Sequence, residues 1–202
     1  MTTTQRLLTL AACLCLAATA ASANVLVETD FETTANWYFW DGASVESWAG
    51  YSGGSGGNGM IFAGWSTGGG FYQDYANSAV GAMYTFTIQG GPSWDWERTG
   101  ADIEVYIDFM DSGFNSLYKE FITPDNIGLT DNWALQTVVA TSPANTAVVR
   151  VGANYTVDPV GTGAYRFDDA SLVDTTAIPE PGTLFLMATG AIGLVLRRRR
   201  SR

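Results

Sequence analysis

An all-β fold, an antiparallel β-sandwich of jelly-roll type, is what this 202-residue chain predicts, and three features of the sequence carry the prediction. Its middle is a succession of short runs rich in Val, Ile, Thr and aromatic residues, the composition that fits a pleated, half-buried surface. Two of the runs, Met83 to Ile88 and Ile103 to Phe109, alternate along the chain with period two, as a strand with one face in a core must. Gly/Ser/Asn/Asp/Pro clusters separate the runs, and no helical period persists between them. Without helices to cross over, the strands must pair antiparallel in two packed sheets.

Nine strands are predicted, over residues 25–29, 59–63, 71–75, 83–89, 102–110, 117–122, 133–141, 147–155 and 165–173. The clusters at 52–59, 67–70, 90–93 and 158–161 read as loops at strand ends. Neither glycine-rich loop is a phosphate cradle, because no lysine follows Gly59 directly and neither precedes a helix.

Both ends of the chain differ from this middle. Arg6, the apolar stretch 7–18 and Ala21-Ser22-Ala23 have the form of a signal peptide over 1–23, with a signal-peptidase cut after Ala23, the last of the small pair Ala21 and Ala23. A lipobox reading of Leu10-Ala11-Ala12-Cys13 would leave only residues 7–12 as the apolar core, which is short against the usual run of about 7–15. At the other end a linker, 175–178, leads to Pro179-Glu180-Pro181, an uncharged segment 183–196, and the cluster Arg197, Arg198, Arg199, Arg200 and Arg202. The segment shows no polar stripe for water, so it reads as a short C-terminal transmembrane helix with the arginines held on the cytoplasmic side. Its 14 residues fall below the roughly 17–20 that span a bilayer, and snorkelling arginines extend it.

Together, Pro179-Glu180-Pro181, the hydrophobic segment and the arginine cluster resemble the PEP-CTERM sorting tail, here over 179–202, of exopolysaccharide-producing Gram-negative bacteria. The resemblance implies an exosortase, a membrane-embedded transpeptidase-like enzyme, that recognises the Pro-Glu-Pro motif and cuts near it. It implies export across the inner membrane, transient anchoring by the C-terminal helix, and then release or attachment at the cell surface or in the extracellular, biofilm-type matrix.

The two cysteines, Cys13 and Cys15, both sit in the leader, so the exported domain forms no disulfide in an oxidising compartment. Residues 24–174 carry four basic side chains, Arg98, Lys119, Arg150 and Arg166, against nineteen acids, a formal charge near −15. Nucleic acid is thereby excluded as a partner, since phosphate binding needs a basic surface. The chain has no histidine, which removes Ser-His-Asp and Cys-His catalysis and the imidazole ligands that catalytic zinc favours. Carboxylate pairs such as Asp95 with Glu97, or Glu104 with Asp108, leave a glycosidase as the one enzymatic reading. Alternating residues on a solvated strand produce the same pattern, so the domain reads as non-catalytic.

Seven tryptophans stand in the domain. Trp133 opens an apolar strand and reads as core. Trp94 and Trp96 flank an acid in a turn-rich segment, and Trp40, Trp48 and Trp65, with Tyr51, border the glycine-rich loop. Rings held in loops suit stacking on sugars or closing the ends of the sandwich. The spacing of Asp30-Phe31-Glu32, Phe71-Tyr72-Gln73, Tyr84-Thr85-Phe86, Trp133 and Phe167 to Leu172 resembles the carbohydrate-binding jelly rolls of the galactose-binding-like superfamily. That resemblance implies polysaccharide binding and a structural calcium ion (Ca2+) near Asp30, Glu32, Asp168 and Asp169, for which carboxylates and carbonyls would supply the oxygens. A purely structural or adhesive matrix protein that recognises no sugar is the alternative.

Overall fold

The structure is a computed structural model and describes residues 24–51, 57–64, 66–76, 80–93, 103–125, 132–156 and 162–174. The leader with Ala21 and Ala23, the tail with Pro179, Glu180, Pro181 and Arg197 to Arg202, and the side chains of Trp65, Trp94, Asp95, Trp96 and Glu97 lie outside the described residues. Among the described residues no helix is long and apolar enough to cross a membrane.

Ten strands fall within one compact unit, Ala23–Thr175. They are β1 (Tyr38–Asp41), β2 (Ala43–Glu46), β3 (Gly59–Ala63), β4 (Gly68–Ala76), β5 (Met83–Pro92), β6 (Ile103–Met110), β7 (Ser116–Ile122), β8 (Ala134–Thr141), β9 (Val148–Thr156) and β10 (Ala164–Asp174). All pairings are antiparallel, in two five-stranded sheets ordered β1-β4-β9-β6-β7 and β2-β3-β10-β5-β8. From β3 to β6, and again from β7 to β10, each strand lies in the other sheet from the one before it. The predicted all-β sandwich is the fold.

The core follows from the period-two pattern. β5 turns Tyr84, Phe86 and Ile88 inward, and β9 turns Val149, Val151, Ala153 and Tyr155 inward. At the centre Phe62, Phe71 and Phe167 meet at ring separations of 4.9–5.6 Å, each worth roughly 1.5–3 kcal/mol of burial. Phe31 and Trp37 pack on Phe71 at 5.7 and 5.6 Å, and the Trp37 indole donates to the carbonyl of Glu28 at 2.6 Å.

Two predicted features change. Residues 25–29 form no strand; only an isolated bridge links Asn24 to Val173. Beyond it the side chain of Gln73 takes the place of a neighbouring strand, accepting from the Val27 N–H at 2.8 Å and donating to the Val27 carbonyl at 2.6 Å. Glu28, at φ 58, then leaves the extended region. In the other direction, β1 and β2 appear where no strand is predicted. Each is four residues long, and they join different sheets across Asp41, at φ 49, and Gly42. The glycines at 68–70, read as loop, begin β4.

In β10 the register against β5 shifts between Asp168 and Ser171, and Asp169 sits at φ 49. This bulge, an extra residue in one strand, lets the Ala170 N–H reach the carbonyl of Thr29 at 2.7 Å.

Candidate functional site

The outer face of the β1-β4-β9-β6-β7 sheet gathers the aromatic and charged side chains. On β4 the inward residues are Phe71 and Gln73, which turns Tyr72 and Asp74 outward. Registry then aligns three rows across the strands. Tyr38, Tyr72, Gly152, Tyr106 and Phe121 stand in one row. Trp40, Gly70, Asn154 and Glu104 form the next, and Asp74, Arg150, Asp108 and Lys119 the third.

Two glycines shape this face. A Cβ on Gly70 would lie 2.2 Å from the Trp40 ring, so the ring rests on bare backbone. A Cβ on Gly152 would lie 2.0 Å from the Phe71 carbonyl oxygen, and its absence leaves a gap in the aromatic row between Tyr72 and Tyr106. Tyr38 stacks on Tyr72 at 5.2 Å, and Trp40 lies 6.1 Å from the same ring. Tyr38, Trp40 and Phe121 are exposed, at 62, 40 and 49 %.

Both cations on the face are held by acids. Arg150 donates through Nε and Nη2 to the two oxygens of Asp74 at 2.7 and 2.9 Å, with its guanidinium 3.6 Å from the centre of the Tyr72 ring. The hydrogen bonds to Asp74 raise the Arg150 pKa. Lys119 donates to Glu104 at 2.5 Å and lies 4.5 Å over Tyr106 and 5.7 Å from the Phe121 ring. Burial pushes the Tyr106 phenol well above its usual range, partly offset by Arg150. Asp108, nearly buried, accepts from the Ser116 hydroxyl at 2.6 Å.

Between these groups lies a pocket of about 190 Å³, lined by Trp40, Tyr106, Asp108, Met110, Lys119, Arg150 and Asn154. The Asn154 Oδ1 is buried there and accepts no hydrogen bond from the described residues, an acceptor suited to a hydroxyl donor. A face of flat rings, fixed ion pairs and one open acceptor can stack on and hydrogen-bond a polyhydroxylated ligand. Glu104 and Asp108 stand four residues apart on one strand, roughly 13 Å between Cα positions, and each carboxylate is engaged, Glu104 by Lys119 and Asp108 by Ser116.

Of the rings singled out from the sequence, Trp40 lies on this face, while Trp48, 51 % exposed, follows β2 of the other sheet. Trp133 is half-buried rather than central, packed 5.2 Å from Tyr51 and 4.9 Å from the Arg166 guanidinium. Tyr38, Tyr72, Tyr106 and Arg150 were not singled out. The outward parity of Tyr72 and Tyr106 is readable from alternation; that their strands lie side by side is not.

The acids of the first and last segments do come near one another. Asp168 is fully buried, accepting from the Tyr51 N–H at 2.7 Å and the Asp169 N–H at 2.8 Å. Burial pushes its pKa up to about 6 against the opposing pull of these two N–H groups, with the charges of Asp169 and Asp30 adding to the rise. Asp169 is raised likewise, by burial and by Asp30. Glu32 points elsewhere and accepts from the Asn58 N–H at 3.1 Å. Among the described residues no three His, Cys, Asp or Glu side chains are grouped to hold a metal.

Residues 177–200 match the PEP-CTERM protein-sorting motif, the mark of an exported surface protein that an exosortase processes. No curated protein matches the chain. Among solved structures, the CBM22-1 xylan-binding domain of Paenibacillus barcinonensis Xyn10C is similar at TM-score 0.52 and 14 % identity, over 80 % of this chain and 100 % of that one. The CBM22-1–GH10 modules of the Clostridium thermocellum endo-1,4-β-D-xylanase 10B, complexed with xylohexaose, match at TM-score 0.53 and 17 % identity over 76 % of this chain. The enzymatically active domain of the bacteriophage CBA120 tailspike protein 4 matches at TM-score 0.57 and 12 % identity over 75 % of this chain. The chain spans only 21 % of the tailspike chain and 29 % of the xylanase chain. At these identities what is shared is the fold, a sandwich of the kind found in carbohydrate-binding modules.

Proposed function

We propose that this exported, exosortase-processed surface protein binds an uncharged polysaccharide, without cleaving it, on the outer face of the β1-β4-β9-β6-β7 sheet. The observation that carries the reading is the row of rings broken at Gly152, flanked by the buried Asn154 acceptor and by ion pairs that are already satisfied. A sugar ring offers apolar C–H faces to the exposed rings of Tyr38 and Trp40 and hydroxyls to Asn154 and Asp108. A polyanionic glycan is disfavoured, because the two cations among the described residues of the face are each paired, and the domain around it is acidic. The similarity of the sandwich to xylan-binding domains supports the class of ligand.

Retention of the purified protein on insoluble and soluble glycans, followed by affinity electrophoresis, tests this. Trp40→Ala and Tyr38→Ala are expected to weaken retention roughly 10–100-fold, at about 1–3 kcal/mol per stacked ring, with an unchanged Tm for Tyr38→Ala, the more exposed of the two. Undiminished retention in both variants would place sugar binding elsewhere. No retention of the parent protein on any neutral glycan would favour the structural or adhesive reading.

A further inference from the structure

The sandwich has four sheet edges, and they are not alike. β1 and β2 are four residues each, and β7 carries Lys119 and Glu120; short length and charge are the usual means of blunting an edge. β8 has neither. Over Ala134–Thr141 it runs eight residues with no charge, proline or glycine, and it pairs with β5 on one side while no described strand is hydrogen-bonded to the other. Its outward side chains Leu135, Thr137, Val139 and Thr141 are exposed, the two apolar ones at 58 and 49 %.

The uncharged character continues inward from the edge. The outward residues registered with β8 on β5 include Thr85 and Thr87, and these align in turn with Val173 and Ser171 on β10. In a domain with a formal charge near −15, two identical copies repel across most of their surface. A charge-free strand is where they can approach, and a strand edge is self-complementary in its main-chain donors and acceptors.

We propose that β8 pairs antiparallel with β8 of a second copy, about a two-fold axis at Thr137, joining two five-stranded sheets into one of ten. In that register Thr137 faces Thr137 and Leu135 faces Val139, so each cross-strand pair on the outer face is matched in character. The two-fold axis stands normal to the sheet. Both aromatic faces of the other sheets therefore point to the same side, and the dimer presents two binding faces together.

Single-cysteine cross-linking tests the register. The full chain with Cys13→Ser and Cys15→Ser has no other cysteine, so Thr137→Cys introduces one thiol per copy. Directly opposed strand residues lie about 4.5–5.5 Å apart at Cα, within disulfide reach. Mild oxidation is expected to give a covalent dimer of Thr137→Cys at least roughly ten times faster than of Thr141→Cys, whose two copies would stand roughly 27 Å apart in the same register. Sedimentation should show a dimer for the parent and a monomer for Thr137→Lys, with the Tm of the latter within about 5 °C of the parent, since its side chain points to solvent. A monomeric parent at tens of micromolar, or equal cross-linking at 137 and 141, would overturn the proposal. None of these positions lies on the aromatic face, so glycan retention and dimerisation fail independently.

Discussion

Asp168 shows how one side chain can hold a turn together at a cost in charge. Its two oxygens tie the backbone N–H groups of Tyr51 and Asp169, which fixes the end of the 46–51 loop against β10. The same burial raises its pKa from 3.8 to about 6. A carboxyl with a raised folded pKa binds its proton more readily folded than unfolded, so its contribution makes the domain gain stability as pH falls from 7 through 6 and level off near 4. Between pH 7 and pH 5 the gain is about 1 kcal/mol, or roughly 2–4 °C in Tm. Thermal melts in metal-free buffer should show this rise, and Asp168→Asn, uncharged at both pH values, should reduce it, leaving the share of Asp169. If a calcium ion is shared by Asp168 and Asp169, calcium will raise the Tm more at pH 7 than at pH 5; an equal effect at both would end that idea. The proximity of Asp30, Asp168 and Asp169 was expected from the family resemblance. The turning of Glu32 toward Asn58 was not, because nothing in local sequence reports which loop a side chain will meet.

At the scale of elements, strands with one apolar parity were readable and those without it were not. β5 and β9 bury alternate residues, and their predicted bounds fall close to those observed. β1 has aromatic residues on both sides, Tyr38 and Trp40 outward and Phe39 between them, so no period two exists to find. The opposite error at 25–29 has its cause in Gln73. A buried amide side chain, 4 % exposed, supplies the donor and acceptor that a strand would have supplied. Replacing Gln73 by Ala should leave the Val27 N–H and carbonyl without that partner. We expect a loss of about 1–2 kcal/mol, tempered by water at the half-exposed Val27, and a Tm lowered by roughly 2–8 °C. Hydrogen exchange should localise the change, with protection lost at the Val27 amide and retained in β9. The aromatic face itself belongs to this scale: its members are scattered from residue 38 to residue 121, and only the strand order β1-β4-β9-β6-β7 places them in one row.

For the whole molecule, destination was legible and the aromatic face was not. Export and sorting are written in contiguous motifs, one of which is the matched segment 177–200, whereas a sheet face is assembled by pairing distant strands. Intact mass measurement of the native extracellular protein is expected to show the loss of residues 1–23 and of Arg197 to Arg202. A mass that retains the arginines would rule out exosortase processing. Charge also acts at this scale. The described face alternates acid and base along Asp74, Arg150, Asp108 and Lys119, while the domain as a whole is strongly acidic. Each positive group is matched by an acid in direct contact, well inside the Debye length of about 8 Å at physiological ionic strength. An exported protein cannot choose the salinity of its surroundings. If recognition rests on ring faces and hydroxyls rather than on unpaired charge, its grip will hold in fresh water and in brine alike.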